Sequence, residues 1–306
     1  MSAERVLVTG ATGFIGSHVA RALRDEGAHV RMLARTATMP ADFDVVVGSV
    51  TDGAAVAAAV EGVDAVYHFA AFSDVTGSIR NPLEAYESGD RGTFLLLEAC
   101  RRRDVPRFVY CSTARVYGRP LYVPVDEHHP TQAHEPYGAT KLAGEIWTRA
   151  YHHTYGLKTT ILRPFSVYGP GRVTKPGSLS GVIPIFVERA LRSEPLTIVG
   201  DGTQTKDFTY IDDVVRGFLL AARSDKAVGH ALNLGAGRGV AVKDLARLVV
   251  RVTGSASPLV HAPASDETVS NYASSALAEE LLGWRADVGI EDGLSRYVAW
   301  CTRARA

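Results

Sequence analysis

Residues 6–18 read VLVTGATGFIGSH: a β-branched strand runs straight into three glycines, Gly10, Gly13 and Gly16, and an amphipathic stretch follows at 17–26. Gly10 lets the chain turn tightly off the strand, Gly13 lets backbone approach a pyrophosphate, and Gly16 lets a helix pack closely on a sheet. The N-terminus of that helix then faces the anion. The spacing G-x-x-G-x-x-G has one residue more between the first two glycines than the usual dinucleotide fingerprint, so a variant of that turn is expected. In a chain with 29 glycines a triplet can be mere loop punctuation. The strand before it and the amphipathic segment behind it favour a dinucleotide pocket.

Around this turn the pattern alternates. Strands are expected at 5–9, 29–33, 44–47, 65–69, 107–111 and 158–162, and helices at 14–26, 53–60, 82–103 and 137–155. Such alternation reads as an α/β fold, a Rossmann-type doubly wound parallel sheet with right-handed crossovers. After Pro164 the pattern breaks into a Gly/Pro-rich loop, 169–181, and then mixes short strands with helices. The division expected is a dinucleotide-binding domain over 1–165 and a smaller C-terminal α/β substrate lobe, mainly 166–306. Segments near 208–236 return to the first domain: 212–222 reads as a buried helix and 231–234 as a strand able to rejoin the first sheet.

The chain has 306 residues, 46% hydrophobic and 22% charged, with 33 basic and 33 acidic side chains cancelling. That balance gives no support to a nucleic-acid or membrane-surface role. The start, MSAERVLVTG, enters the first strand without an apolar signal core, and no run of about 18 apolar residues appears. A soluble, cytoplasmic protein is expected. Cys100, Cys111 and Cys301 are scattered without C-x-x-C spacing, so neither a disulfide framework nor a zinc site is implied.

In EPYGATKLAGE, Tyr137 and Lys141 stand four apart, on one helix face about a turn from each other. A phenol is a poor base at neutral pH, but a neighbouring ammonium and a positive nicotinamide ring favour its phenolate. Tyr137 is then suited to take a proton from a substrate hydroxyl as hydride leaves the same carbon. Tyr-x-x-x-Lys arises often by chance; its place downstream of the glycine turn gives it weight. CSTARVYG, 111–118, ends a strand at the carboxyl edge of the sheet, where open α/β folds bind ligands. Ser112 and Thr113 offer hydroxyls there, either to stabilise a reacting oxygen or to cap backbone.

Together these residues resemble the extended short-chain dehydrogenase/reductase family, and within it the nucleotide-sugar epimerases and dehydratases typified by UDP-galactose 4-epimerase. TGATGFIG, HFAA at 68–71, STARVYG, PYGATK, LRPFSVYGPG at 162–171 and GDGTQTKDFTYIDDVV at 200–215 follow that family's order and spacing. The resemblance implies Thr113, Tyr137 and Lys141 as the catalytic set. It implies Gly10, Gly13, Phe14, Ile15, Gly16, Val50, Phe69, Ala70, Ala71, Ser73, Pro164 and Phe165 around the cofactor, with Tyr137 and Lys141. Val75, Thr113 and Ser166 are expected at the substrate, and a homodimer built on paired helices is expected by analogy.

Relatives that remove water across sugar carbons 5 and 6 carry Asp and Glu after the hydroxyl residue; here those positions are Ala114 and Arg115. C4 epimerisation through a transient 4-keto sugar is therefore the expected reaction. The alternatives are net reduction of a nucleotide-linked 4-keto sugar and, in a different class, a cofactor-sensing regulator without turnover, against which Tyr137 and Lys141 both stand. NAD is expected from the epimerase resemblance. Ala34 and Arg35, where NAD-binding relatives end the second strand on an acid, suit the 2′-phosphate of NADP instead. Other departures fall on the substrate side. Ser166 replaces an asparagine, Lys206 replaces an arginine, APASDE at 262–267 lacks the usual arginine, Ser49 stands for an aspartate and Gly89 for an asparagine. Arg172 and Lys175 are candidates for the missing phosphate contacts. His128, His129, His134, His152 and His153 lack metal-ligand spacing on a defined scaffold, so no metal is assigned.

Overall fold

A computed structural model describes residues 4–36, 43–173, 181–264 and 269–304. In chain order it contains β1 (Arg5–Thr9), α1 (Phe14–Asp25), β2 (His29–Ala34), β3 (Asp44–Val47), α2 (Gly53–Ala59) and β4 (Ala65–His68). Then come α3 (Val75–Arg80), α4 (Pro82–Tyr86), α5 (Gly92–Arg102), β5 (Arg107–Cys111), α6 (Pro136–Tyr155) and β6 (Lys158–Pro164). The remainder holds α7 (Val182–Ala190), β7 (Leu196–Val199), β8 (Thr205–Lys206), α8 (Ile211–Arg223), β9 (Ala231–Leu234), β10 (Val240–Ala241), α9 (Val242–Thr253), β11 (Leu259–Ala262), α10 (Ala276–Leu282) and α11 (Ile290–Arg303).

Seven strands form one sheet in the order β3-β2-β1-β4-β5-β6-β9. Every pairing in it is parallel. The strand order reverses between β1 and β4, and the crevice at their carboxyl ends is where such sheets bind ligands. Because helices cover both faces, the strands read as apolar runs whose successive side chains part to opposite sides. Val6, Val8, Met32, Tyr67 and Val109 join α1 and α8 on one face. Leu7, Leu33, Val66, Phe108 and Tyr110 meet α2, α5 and α6 on the other. The first cluster continues through Phe186, Leu245, Val249 and Leu294 of α7, α9 and α11, so the C-terminal helices share its apolar interior.

Residues 231–234 do rejoin the large sheet: β9 pairs with β6, which extends β6 to Pro164, two residues past its expected end. The rest of the C-terminal part contributes two small sheets, β10 with β8 and β11 with β7. The single helix expected over 82–103 is divided. Between α4 and α5 lies a π-turn, Glu87–Arg91, which shifts the register by one residue, a feature frequent at functional sites. At its centre a Cβ on Gly89 would lie 2.8 Å from the Thr140 hydroxyl, so close approach to α6 requires glycine there. α6 begins where the Glu135 carboxylate accepts from the Gly138 amide at 3.1 Å, and it stops at Gly156 with φ +73°. Among the described residues no helix is long and apolar enough to cross a membrane.

Candidate active site

The glycine turn closes as the spacing requires. Gly10 has φ +70°, and the Gly13 amide donates to its carbonyl at 2.9 Å. A Cβ on Gly16 would come within 2.4 Å of the same carbonyl oxygen. No side chain caps the N-terminus of α1 and its first turn has no acid. Its free amides and positive dipole end are therefore open to an anion, which fits a dinucleotide pyrophosphate. Phe14 and Ile15 are half-buried beside the turn, Ala34 is buried at the end of β2, and Arg35 is exposed just beyond it. Val50 is buried, Ala70, Ala71 and Val75 are half-buried, and Ser73 is exposed. Phe69 packs its ring 4.7 Å from that of Phe218.

His68 holds this edge of the crevice in one protonation state. Thr93 donates its hydroxyl proton to the Gly89 carbonyl at 2.6 Å, so its oxygen must accept from His68 Nε2 at 3.0 Å. His68 Nδ1 is then the acceptor for the Thr9 hydroxyl at 2.7 Å, whose oxygen in turn takes the Ala70 amide at 3.3 Å. Burial, with the Lys141 charge nearby, lowers the His68 pKa to about 3. The ring is a neutral rivet between β1, β4 and the π-turn.

Three consecutive residues at the end of β5, Cys111 to Thr113, face three residues on one side of α6. The Cys111 carbonyl accepts from Lys141 Nζ at 2.7 Å, and the Ser112 hydroxyl donates to Glu145 Oε1 at 2.5 Å. The Thr113 side chain lies close enough to the Tyr137 phenol to favour its ionised form. Its oxygen accepts the Arg115 amide at 3.2 Å. Positions 137, 141 and 145 are successive turns of a single helix, so the face is set by period alone. Sequence reasoning reached the first two. The third, Glu145, carries the same signal, a polar residue four further along, although its partner lies in another strand.

The charge arrangement differs from the expectation. Burial is the leading influence on Tyr137 and pushes its pKa up to about 12, against which the Thr113 hydrogen bond and the Arg172 charge pull it down. Burial likewise lowers the Lys141 pKa, which Glu145 helps to raise. Lys141 is 3% exposed, with its ammonium 5.0 Å from the Tyr110 ring centre and anchored on backbone. A polar network lies beneath. Arg163 grips Glu145 with two parallel bonds, Nε–Oε1 at 2.8 Å and Nη2–Oε2 at 2.6 Å. It also donates to the Tyr117 hydroxyl at 2.7 Å, which passes its own proton to Asn233 Oδ1 on β9.

The expected substrate residues are scattered around this core. Ser166 is exposed at φ +24°, a left-handed backbone that asparagine adopts more readily than serine. Arg172 lies with its guanidinium 5.4 Å from the Phe14 ring centre, at the glycine turn and within electrostatic reach of Tyr137. Lys206 Nζ donates to the Val269 carbonyl at 2.9 Å. Pro164 and Phe165 are buried, Phe165 packing near Tyr117 with ring centres 6.2 Å apart. Lys175 and residues 265–267 of the APASDE segment lie outside the described residues. Both ring nitrogens of His129 are engaged: Nε2 accepts the Leu121 amide and Nδ1 donates to the Pro130 carbonyl, each at 2.8 Å.

Residues 6–235 match the family described as NAD dependent epimerase/dehydratase. A UDP-glucose 4-epimerase of Halalkalibacterium halodurans is 36% identical over 299 residues, covering 91% of this chain and 90% of its own length. Among solved structures, the UDP-glucose 4-epimerase of Thermotoga maritima with UDP-glucose is similar at a TM-score of 0.92 and 32% identity, covering 99% of this chain and 100% of the other. The Thermus thermophilus UDP-glucose 4-epimerase in complex with NAD is similar at 0.88 and 31% identity, covering 98% and 99%.

Proposed function

Because this chain belongs to the NAD dependent epimerase/dehydratase family, we propose that it is a nucleotide-sugar epimerase that inverts C4 through a transient 4-keto sugar, with Tyr137 as the base and NAD as cofactor. The observation that carries this reading is the placing of Tyr137 and Lys141 on one face of α6 against the carboxyl end of β5, with Lys141 on the Cys111 carbonyl and Thr113 beside Tyr137. Relatives named as UDP-glucose 4-epimerases, and a neighbour solved with NAD, support the substrate class and the cofactor.

The residues divide the work by their chemistry. The Tyr137 oxygen accepts the C4 hydroxyl proton and later returns it. Thr113, beside that oxygen, stabilises the phenolate and the substrate oxygen in turn. Lys141 supplies a fixed positive charge one helical turn away. NAD, when bound, would supply the hydride acceptor and donor for C4 and a second positive charge near the tyrosine. The uncapped N-terminus of α1 would hold its pyrophosphate. Ala114 and Arg115 leave the position after Thr113 without the carboxylates that dehydration needs. Val75, Ser166, Arg172 and Lys206 are the chain's candidates for the sugar and its phosphates.

Purified protein mixed with UDP-, dTDP- and GDP-hexoses without added cofactor tests the reading, with products followed by NMR. Interconversion of C4 epimers without net cofactor consumption supports it. A second reading rests on Arg35, exposed at the end of β2 where no acid stands. It is net reduction of a keto sugar with NADPH, and stoichiometric NADPH oxidation in the same assay selects it. We also propose a homodimer through α4, α5 and α6, where Leu83, Tyr86, Phe94, Ile146 and Trp147 are exposed together on neighbouring helices. Turnover in the cytoplasm is proposed with it.

A further inference from the structure

Glu145, which the proposed reaction does not itself use, lies at the centre of a charge cluster. Its side chain is 0% exposed and that of Arg163 is 1% exposed. Two buried cations, Arg163 and Lys141, flank this one buried carboxylate, and Arg149 reaches it from the surface at 3.2 Å. A buried ion pair of this kind adds little to stability compared with an apolar replacement, so its presence beside a site calls for another role. Geometry supplies one. Glu145 takes the hydroxyl of Ser112, the residue between the Cys111 carbonyl that anchors Lys141 and the Thr113 hydroxyl that meets Tyr137.

We propose that Glu145, clamped by Arg163, is the positioning residue of this site: through Ser112 it fixes the strand end that carries the Cys111 carbonyl and Thr113, and it sets its carboxylate one helical turn beyond Lys141. The proposal rests on the assignment of Thr113, Tyr137 and Lys141 as the catalytic set. The groups that face Glu145 are Arg163 from β6, Lys141 and Arg149 from α6, Tyr110 from β5 and Tyr117 from the turn after it. Those that face Lys141 are Glu145, the Cys111 thiol, the Tyr110 ring and the neutral His68. Among the described residues Glu145 is the carboxylate acting on that amine. Desolvation drives Lys141 toward its neutral form, and Cys111 and then Glu145 oppose it.

The test uses protein loaded with NAD and carrying lysine enriched in the heavy carbon isotope at Cε. The Lys141 resonance is the one absent from Lys141→Met. In Glu145→Gln the deprotonation midpoint of Lys141 should fall by about one pH unit or more, and the alkaline limb of kcat should move down with it. In Ser112→Ala that midpoint should stay, while kcat falls about tenfold at nearly constant KM, because Thr113 is no longer held. An unchanged Lys141 midpoint in Glu145→Gln overturns the proposal. Where Glu145→Gln yields no folded protein, wild-type kcat in Ser112→Ala overturns it instead. Should the wild type convert no nucleotide sugar at all, the epimerase reading falls, and the Lys141 midpoint still decides the role of Glu145.

Discussion

The ammonium of Lys141 donates to the carbonyl of Cys111 at 2.7 Å, tying the middle of α6 to the end of β5. Its charge is thereby held in place, one turn beyond the phenol of Tyr137, the proposed base.

Tyr137→Phe should lower kcat by about 100-fold to 10,000-fold while leaving the cofactor dissociation constant and the thermal midpoint near wild type. The ring stays and only the hydroxyl that meets Thr113 is lost. Turnover assays beside isothermal titration with NAD check this, and undiminished turnover would remove the proposed base.

Gly16→Ala and Gly13→Ala should separate. A Cβ at Gly16 falls 2.4 Å from the Gly10 carbonyl oxygen, a backbone atom that cannot swing aside, whereas one at Gly13 falls 3.1 Å from it. Thermal unfolding should show a loss of about 1–3 kcal/mol for Gly16→Ala, with cofactor binding weakened. Gly13→Ala should lose clearly less stability, and equal losses would contradict the close-packing argument.

The stability of the protein should fall as acid is added, in part through His68. Its pKa is about 3 in the fold against 6.5 for the free side chain, so the unfolded chain binds a proton the native state refuses between those values. Stability is complete above about pH 6.5 and declines below it by up to about 1.4 kcal/mol per pH unit. Asp207, raised to about 6 by burial, acts with the opposite sign as it takes up a proton earlier in the fold. Denaturant titrations of wild type and His68→Gln at several pH values cancel the Asp207 contribution; the stability of the wild type relative to the variant should fall steadily below pH 6.5, and a constant difference would reject a neutral buried ring.

Arg35→Asp should raise the preference for NAD over NADP by about tenfold or more, because a carboxylate at the end of β2 pairs with a ribose diol and repels a 2′-phosphate. Competitive binding of the two cofactors measures the ratio. An unchanged ratio would show that the exposed Arg35 meets no phosphate.

Leu83→Glu combined with Trp147→Glu should halve the mass seen by light scattering. Leu83 is 70% and Trp147 38% exposed on helices that the proposed dimer would cover, and paired carboxylates in such an interface are costly to bury. An unaltered mass would place the contact elsewhere.

Much of the fold was legible because its signals are local. The strand, three-glycine turn and helix of residues 5–26, the ends of β1, β3, β5 and β9, and the four-residue step from Tyr137 to Lys141 each depend on neighbours within a turn or a strand. The single helix expected over 82–103 was read from the same periodicity, but the π-turn at Glu87–Arg91 interrupts it where Gly89 lies against Thr140 on α6.

By itself, then, the amino-acid sequence determined a parallel α/β sheet, a three-glycine turn from Gly10 to Gly16, and a phenol–amine pair on one helix face, since period and glycine placement act over a few residues. Only the tertiary structure decided that Ser112, Glu145 and Arg163 would converge under that pair, that His68 would bind Thr9 and Thr93 in one tautomer, and that Arg172 would lie over Phe14. Those contacts join residues far apart in the chain, and they exist because β5 pairs with β6 and β4 with β1, a choice of neighbours made by burying both faces of the sheet at once.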